Sequence, residues 1–118
     1  MRILHENKRC TGKRYEEITA KILEKHGYQI IEKNYWCPFG EIDLIALQDV
    51  WIVFIEVKYR KNENIGRPEQ AVGRKKQQTI KKTANWYLES HPQYWSYQMR
   101  FDVAAILGKE FRTYPNAF

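Results

Sequence analysis

The chain has 118 residues, 43% of them hydrophobic and 14% aromatic, which suits one domain with a single core and excludes a disordered tail. A net charge of +6 and a sequence pI of about 9.3 lean toward polyanionic partners, and no apolar run reaches the ~18 residues of a membrane-spanning helix. The first nine residues lack the apolar block of a secretory signal; Cys10 and Cys37 suggest neither a disulfide framework nor a zinc site, and the chain reads as cytoplasmic.

In chain order, residues 1–10 read as a loosely ordered tail before a domain core spanning about residues 12–107. Thr11 is placed to cap a first helix from Gly12 to His26, with Gly27 as its stop and Tyr15, Ile18, Ile22 and Leu23 as its apolar stripe. Tyr28 to Tyr35 reads as a strand and Pro38-Phe39-Gly40 as a turn. Glu41 to Leu47 and Trp51 to Lys58 are β-rich runs joined by a connection short enough to make them a hairpin. Asn62 to Arg67 is a polar loop. Pro68 opens a second helix running to Ser90, which His91-Pro92 ends. Arg100 to Leu107 is a further strand, Gly108-Lys109 a turn, and Phe111 to Tyr114 a short edge strand. The order α-β-β-β-α-β-β predicts an α/β fold: a mixed β-sheet flanked by helices, in one domain over 1–118.

The hairpin carries the chemistry. A turn at Asp49-Val50 pairs Gln48 with Trp51, which sets Asp43 opposite Glu56 and Glu41 opposite Lys58. The other face is then Ile42, Leu44, Ala46, Val53, Ile55 and Val57, apolar throughout, as a face packed on a core must be. The first face is apolar near the turn (Ile45, Leu47, Ile52, Phe54) and gathers three carboxylates and a lysine at its far end. Opposed Cβ atoms lie about 4.5–5.5 Å apart, so Asp43 and Glu56 repel unless a proton or a cation lies between them. A hard divalent ion, Mg²⁺ or Mn²⁺, resolves the conflict; so does an ion-pair network built on Lys58. The hairpin alone favours neither.

The pattern Asp43, a gap, then Glu56-Val57-Lys58 resembles the Asp…Glu-x-Lys signature of the restriction-endonuclease-like superfamily. More closely, the chain resembles the YraN-like family, which is related to archaeal Holliday junction resolvases. The matching residues include Glu17-x-x-Ala20, Gly27-Tyr28, Asn34-Tyr35, Gly40-Glu41-Ile42-Asp43-Leu44-Ile45, Phe54-Ile55-Glu56-Val57-Lys58-x-Arg60, Gly66, Lys76 and Arg100-Phe101-Asp102-Val103. Two positions depart from the pattern. Ile42 stands where the superfamily motif has proline, and Glu16 stands where such proteins usually carry a glycine, which leaves open whether Glu16 or Glu17 faces the site.

The resemblance implies a restriction-endonuclease-like core and Mg²⁺- or Mn²⁺-dependent phosphodiester hydrolysis, acting on DNA rather than RNA in recombination or processing. It implies that Asp43 and Glu56 are metal ligands, with the Val57 carbonyl a third contact and Glu17 a further ligand or water-positioning carboxylate, and that Lys58 holds the attacking water or stabilises the transition state. A helical wheel places Glu17 away from the apolar stripe, so a solvated carboxylate competes with that role. Glu41 has a supporting role, against an ion pair with Lys58. Lys76 interrupts the stripe Val72, Ile80, Thr83 and Tyr87, so it must snorkel or face the cleft, on a phosphate or a carboxylate. Arg60, Lys61 and Arg67 are nucleic-acid contacts; Arg74, Lys81 and Lys82 read as solvated.

Asp102 reads as structural, and His5, His26 and His91 as surface histidines. Trp86, Tyr87, Tyr94, Trp95 and Tyr97 suit base stacking, core or a subunit interface, with a homodimer interface favoured. The competing expectations are a nucleic-acid-binding module with a nuclease-like fold that cleaves nothing, and a structural protein whose hairpin charges are an ion-pair network.

Overall fold

The computed structural model describes residues 8–61 and 72–118, with side chains from Gly12 onward. The described elements are α1 (Lys8–Lys25), β1 (Gln29–Cys37), β2 (Gly40–Gln48), β3 (Trp51–Arg60), α2 (Arg74–Glu89), a 3-10 turn (Pro92–Tyr94), β4 (Gln98–Leu107) and β5 (Glu110–Tyr114). The strands form one sheet in the order β1-β2-β3-β4-β5. Neighbours pair antiparallel except β3 and β4, which run parallel from Trp51↔Gln98 to Arg60↔Leu107. A parallel pair needs a long crossover, and α2 lies within it. The mixed α/β sheet flanked by helices is as the sequence predicts; the 3-10 turn is additional.

Several boundaries move. The first helix begins at Lys8, not Gly12, so Thr11 lies inside α1 rather than capping it. Its far end is as predicted. Gly27 takes φ 92°, and the Tyr28 N–H reaches back to the Leu23 carbonyl at 3.1 Å, satisfying one of the carbonyls a helix end leaves unpaired. The second helix starts at Arg74 after an extended Gly73, later than the predicted Pro68, which itself lies outside the described residues. The predicted loop over 62–67 and His5 also lie outside them. The core extends past Leu107: Ala117 donates to the Phe101 carbonyl at 2.7 Å, and the Phe118 ring stacks on Phe101.

Two apolar clusters separate the layers. Leu44, Ala46, Val53, Ile55 and Ala104 pack with Ala20 and Leu23 of α1. Ile45, Ile52, Phe54 and Val103 pack with Ile80, Ala84 and Tyr87 of α2. Ile42 joins the second cluster instead of sharing a face with Leu44, so strict alternation fails between them. The buried face of α1 also differs from expectation. Thr19, Ala20 and Leu23 are buried whereas Ile18 is 39% exposed, because the small Thr19 and Ala20 let the helix backbone approach the sheet closely.

The β1–β2 turn presses on α2. A Cβ on Gly40 would overlap the Thr79 Cγ2 methyl, with Thr83 Oγ1 also in contact. Gly40→Ala is therefore expected to cost about 1–3 kcal/mol, the usual range for overpacking. A thermal melt with an unchanged midpoint would show that this turn does not rest on the helix.

Candidate functional site

The β2–β3 ladder has the predicted register, Gln48↔Trp51 through Leu44↔Ile55, and then stops. Asp43 and Glu56 are the next pair in that register, and there the backbone ladder gives way to side chains. Asp43 Oδ2 accepts the Val57 N–H at 2.8 Å, replacing a strand carbonyl with a carboxylate. The Asp43 and Glu56 carboxyls stand close enough to act on each other. Two such groups at close range repel unless a proton or a cation lies between them. On β1, opposite the opening, Asn34 adopts a left-handed φ of 53°.

A third acid completes the cluster, and it is Glu16. Its carboxyl lies within reach of Asp43 and Asn34, while its Oε1 is buried with no hydrogen-bond partner. Glu17 faces away, exposed, and pairs with Lys33 at 3.7 Å. Of the two glutamates, the structure brings Glu16 and not Glu17 to the Asp43 carboxyl. The signal lies in the helix register: Glu16 continues the buried Thr19, Ala20, Leu23 face, whereas a wheel built on Tyr15 and Ile18 is turned the wrong way.

Electrostatics follow from this crowding. Burial, first of all, raises Asp43 to about 6; the Val57 N–H opposes the rise, and the Glu16 charge adds to it. Burial and then the Asp43 charge raise Glu56 to about 7, with the Lys76 and Lys58 ammonium groups pulling the other way. Burial also raises Glu16, against the pull of Asp43 and Asn34.

Lys58 Nζ lies 3.6 Å and Lys76 Nζ 3.4 Å from Glu56 Oε2, on a carboxyl only 6% exposed. Of the two readings of Lys76, cleft-facing is therefore the observed one. The β2–β3 ladder ends before Glu41 and Lys58, so no backbone pairing joins them. On the other side of β2, Glu41 pairs with Trp36 of β1, and its charge acts on Glu16. Arg60 and Lys61 are exposed at the end of β3, with the Arg60 Nη1 donating to the Tyr59 carbonyl at 2.8 Å; Arg67 lies outside the described residues.

Among the described residues, no three His, Cys, Asp or Glu side chains are arranged to hold a cation as they stand. The donor chemistry nevertheless fits a hard divalent ion: three neighbouring carboxyls, one of them with a buried oxygen lacking any partner. Asp43, Glu56 and Glu16 are the residues that would hold it.

The remaining charges and rings are structural. Arg100 pairs with Asp102 at 2.9 Å and also donates to the Tyr28 hydroxyl and Gln48 Oε1, while Asn116 N–H donates to Asp102 Oδ1 at 3.0 Å. Lys81 is exposed, as expected, with its Nζ 5.6 Å from the centre of the Phe101 ring. His91 is half-buried, stacked on Tyr87 at 3.8 Å. Tyr87 is core, with Tyr94 and Tyr97 packed against it, so only Trp86 and Trp95 of that aromatic stretch are exposed.

The family model described as "Uncharacterised protein family UPF0102" matches residues 15–106, which include every residue of the acid cluster. A UPF0102 protein of Lachnoclostridium phytofermentans is 43% identical over 112 residues, 95% of each chain. One from Fusobacterium nucleatum subsp. nucleatum is 46% identical over 104 residues, covering 88% of this chain and 87% of its own. One from Caldanaerobacter subterraneus subsp. tengcongensis is 48% identical over 100 residues, covering 85% and 81%.

Proposed function

The chain belongs to the UPF0102 family, and we propose that it is a metal-dependent phosphodiester hydrolase with a restriction-endonuclease-like core, acting as an endonuclease on DNA. One observation carries the reading. Where the β2–β3 ladder opens, Asp43 and Glu56 meet with two lysines on the same carboxylate. The resemblance to resolvase-like nucleases supports it from the sequence side.

Mg²⁺ or Mn²⁺ held by Asp43, Glu56 and Glu16 would supply Lewis acidity and a more acidic water. The protein's own groups do the rest. In the hydrolysis, a water oxygen bonds to phosphorus in line with the ester oxygen that leaves, and that oxygen takes a proton. Lys58 and Lys76 present ammonium groups where a phosphate's non-bridging oxygens would lie, stabilising charge that grows in the transition state. The Val57 N–H fixes the Asp43 carboxylate without strain on its strand. Arg60, Lys61 and Arg67 would add backbone phosphate contacts, which set affinity but read no sequence.

Calorimetric titration of Mg²⁺ and Mn²⁺, alone and with a non-cleavable duplex, tests the reading beside Asp43→Asn and Glu56→Gln. Binding that both substitutions abolish supports it, and cleavage of branched, flapped or single-stranded substrates would follow. No binding even with the duplex would refute the hydrolase. A nucleic-acid binder that cleaves nothing would then stand, a reading favoured by the fact that the three acids do not yet converge on one point.

The two glutamates of α1 are separable. Glu17→Gln is expected to leave metal affinity within about twofold, whereas Glu16→Gln lowers it by roughly 10–100-fold, the range seen when a group supporting a metal site is lost. Equal effects would return Glu17 to the site.

A further inference from the structure

A helix is stabilised by acids in its first turn and cations in its last, because its N-terminus carries partial positive charge. α2 is built the other way. Its first turn holds Arg74, Lys75 and Lys76 without an acid, its N-cap Gly73 offers no side-chain bond, and its last turn holds no cation. With Lys81 and Lys82 the helix carries five exposed cations before its first acid, Glu89. The cations of α1 are interleaved with Glu16, Glu17 and Glu24 instead. Among the described residues, Lys76 is the one of the five that pairs with a carboxylate, at Glu56. This placement works against the helix itself, and a bound polyanion would reverse the effect.

The same helix carries an aromatic step. Positions 75, 79, 82 and 86 fall on one side of α2, spaced by four, three and four residues. Lys75, Lys82 and Trp86 are exposed there, and the β1–β2 turn rests on Thr79. That turn brings Phe39 onto Trp86, ring centres 5.5 Å apart and edge-on, with the two residues 51% and 42% exposed. At about 1.5 Å per residue, Trp86 lies about 15 Å along the helix from Lys76, whose Nζ reaches the acid cluster. Trp36 is more exposed, at 72%, but it follows Tyr35, which meets Tyr87 of α2, and so points to the other face of the sheet.

We propose that this side of α2 is a docking surface for single-stranded nucleic acid. Lys75 and Lys82 hold backbone phosphates, an unpaired base stacks on the Phe39–Trp86 pair, and the strand runs along the helix to Lys76. Its direction toward the acids rests on the hydrolase reading; the docking itself does not. Charge complementarity selects a polyanion, and the exposed rings among the lysines select one whose charges alternate with flat π-faces. An acidic protein segment lacks that alternation. A duplex covers the faces of its bases, so the ring pair favours an unpaired strand.

The test is fluorescence anisotropy of the full chain in EDTA, which reads binding without cleavage, with a short oligothymidylate and an abasic polymer of the same length. Lys75→Gln with Lys82→Gln should flatten the dependence of log affinity on log salt by about 1.4, from ~0.7 per phosphate contact of a single strand. Lys21→Gln with Lys25→Gln makes the same charge change at exposed positions of α1 and should leave that slope as it is. Trp86→Ala should weaken oligothymidylate about tenfold, the scale of one base–aromatic stack, and the abasic polymer less than about twofold. Trp86→Phe should restore most of the loss, and Trp36→Ala should change neither probe. Equal flattening by the two lysine pairs overturns the docking surface, as does an equal loss on both probes in Trp86→Ala. So does polyglutamate that displaces oligothymidylate as readily as an unlabelled strand does, which would make the occupant an acidic protein. Each of these failures leaves hydrolysis to be judged by the metal titration.

Discussion

Asp43→Asn is expected to abolish metal-dependent cleavage and, in the same molecule, to stabilise the metal-free protein at alkaline pH. The loss of rate should be at least roughly 10²–10³-fold, the scale of removing one electrostatic contact made in a transition state. The gain follows from the raised pKa. An acid whose folded-state pKa exceeds its unfolded value binds its proton more tightly when folded, and so contributes stability below its unfolded pKa. That contribution is lost as pH rises through the folded value, here about 6 for Asp43 and about 7 for Glu56. Between about pH 4 and pH 8 the wild-type chain should therefore lose stability, on the order of 3 kcal/mol for either group taken alone. Asparagine stays neutral throughout and can still accept the Val57 N–H. The melting temperatures of variant and wild type should coincide near pH 4 and diverge by about 12 °C at pH 8, given the ~4 °C per kcal/mol of a domain this size. Saturating Mg²⁺ should close that gap by stabilising only the wild type. A variant less stable than wild type at pH 8 would mean that the acids are not crowded as described.

Asp102→Ala should be the most destabilising substitution outside the acid cluster. Asp102 is 3% exposed and neutralises Arg100, whose guanidinium also holds Tyr28 and Gln48 and lies 5.5 Å from the Trp51 ring. Removing the carboxylate leaves a guanidinium largely out of water and orphans the Asn116 N–H. Breaking one side of a buried pair costs about 3–5 kcal/mol, so the midpoint should fall by roughly 10–20 °C. Arg100→Met together with Asp102→Ala should cost less than the sum of the single changes, since neither charge is then stranded. Strict additivity would show that the two side chains do not depend on each other.

Much of this is legible in the chain. Period-two alternation and the short Asp49-Val50 connection place β2 and β3 and their register, because one slipped residue would bury the wrong face. The acid pair is legible for the same reason. What cannot be read is where the ladder ends. Asp43 opposite Glu56 and Glu41 opposite Lys58 differ by a single step in the pairing, yet the opening falls at the first of them, where a carboxylate takes over a backbone N–H. Ile42 then joins the α2 side of the sheet, which simple alternation cannot produce. Glu16 and Glu17 are hard to tell apart for a comparable reason. Large apolar residues orient a helical wheel, but close packing of α1 on the sheet is set by its small ones, Thr19 and Ala20. Exposure of Trp36 carries no signature at all, because a strand's outward positions reveal their solvent contact only once the neighbouring layers are placed.

The parallel alignment of β3 with β4 also has a kinetic meaning. β1, β2 and β3 are joined by short turns and form contacts between near neighbours in sequence, whereas β4 reaches its place only after the chain has passed through α2 and closed a long loop. The Asp43–Glu56 pair belongs to the local meander, and the Arg100–Asp102 clamp to the strand that must arrive from afar. In a nucleus built from the meander, the acids would meet while β4 and β5 are still unformed, and destabilising changes in β4 would speed unfolding more than they slow folding. The mutual repulsion of the acids would then be a barrier term, slowing folding at high pH and lifted by protonation or by a divalent ion before the molecule is complete.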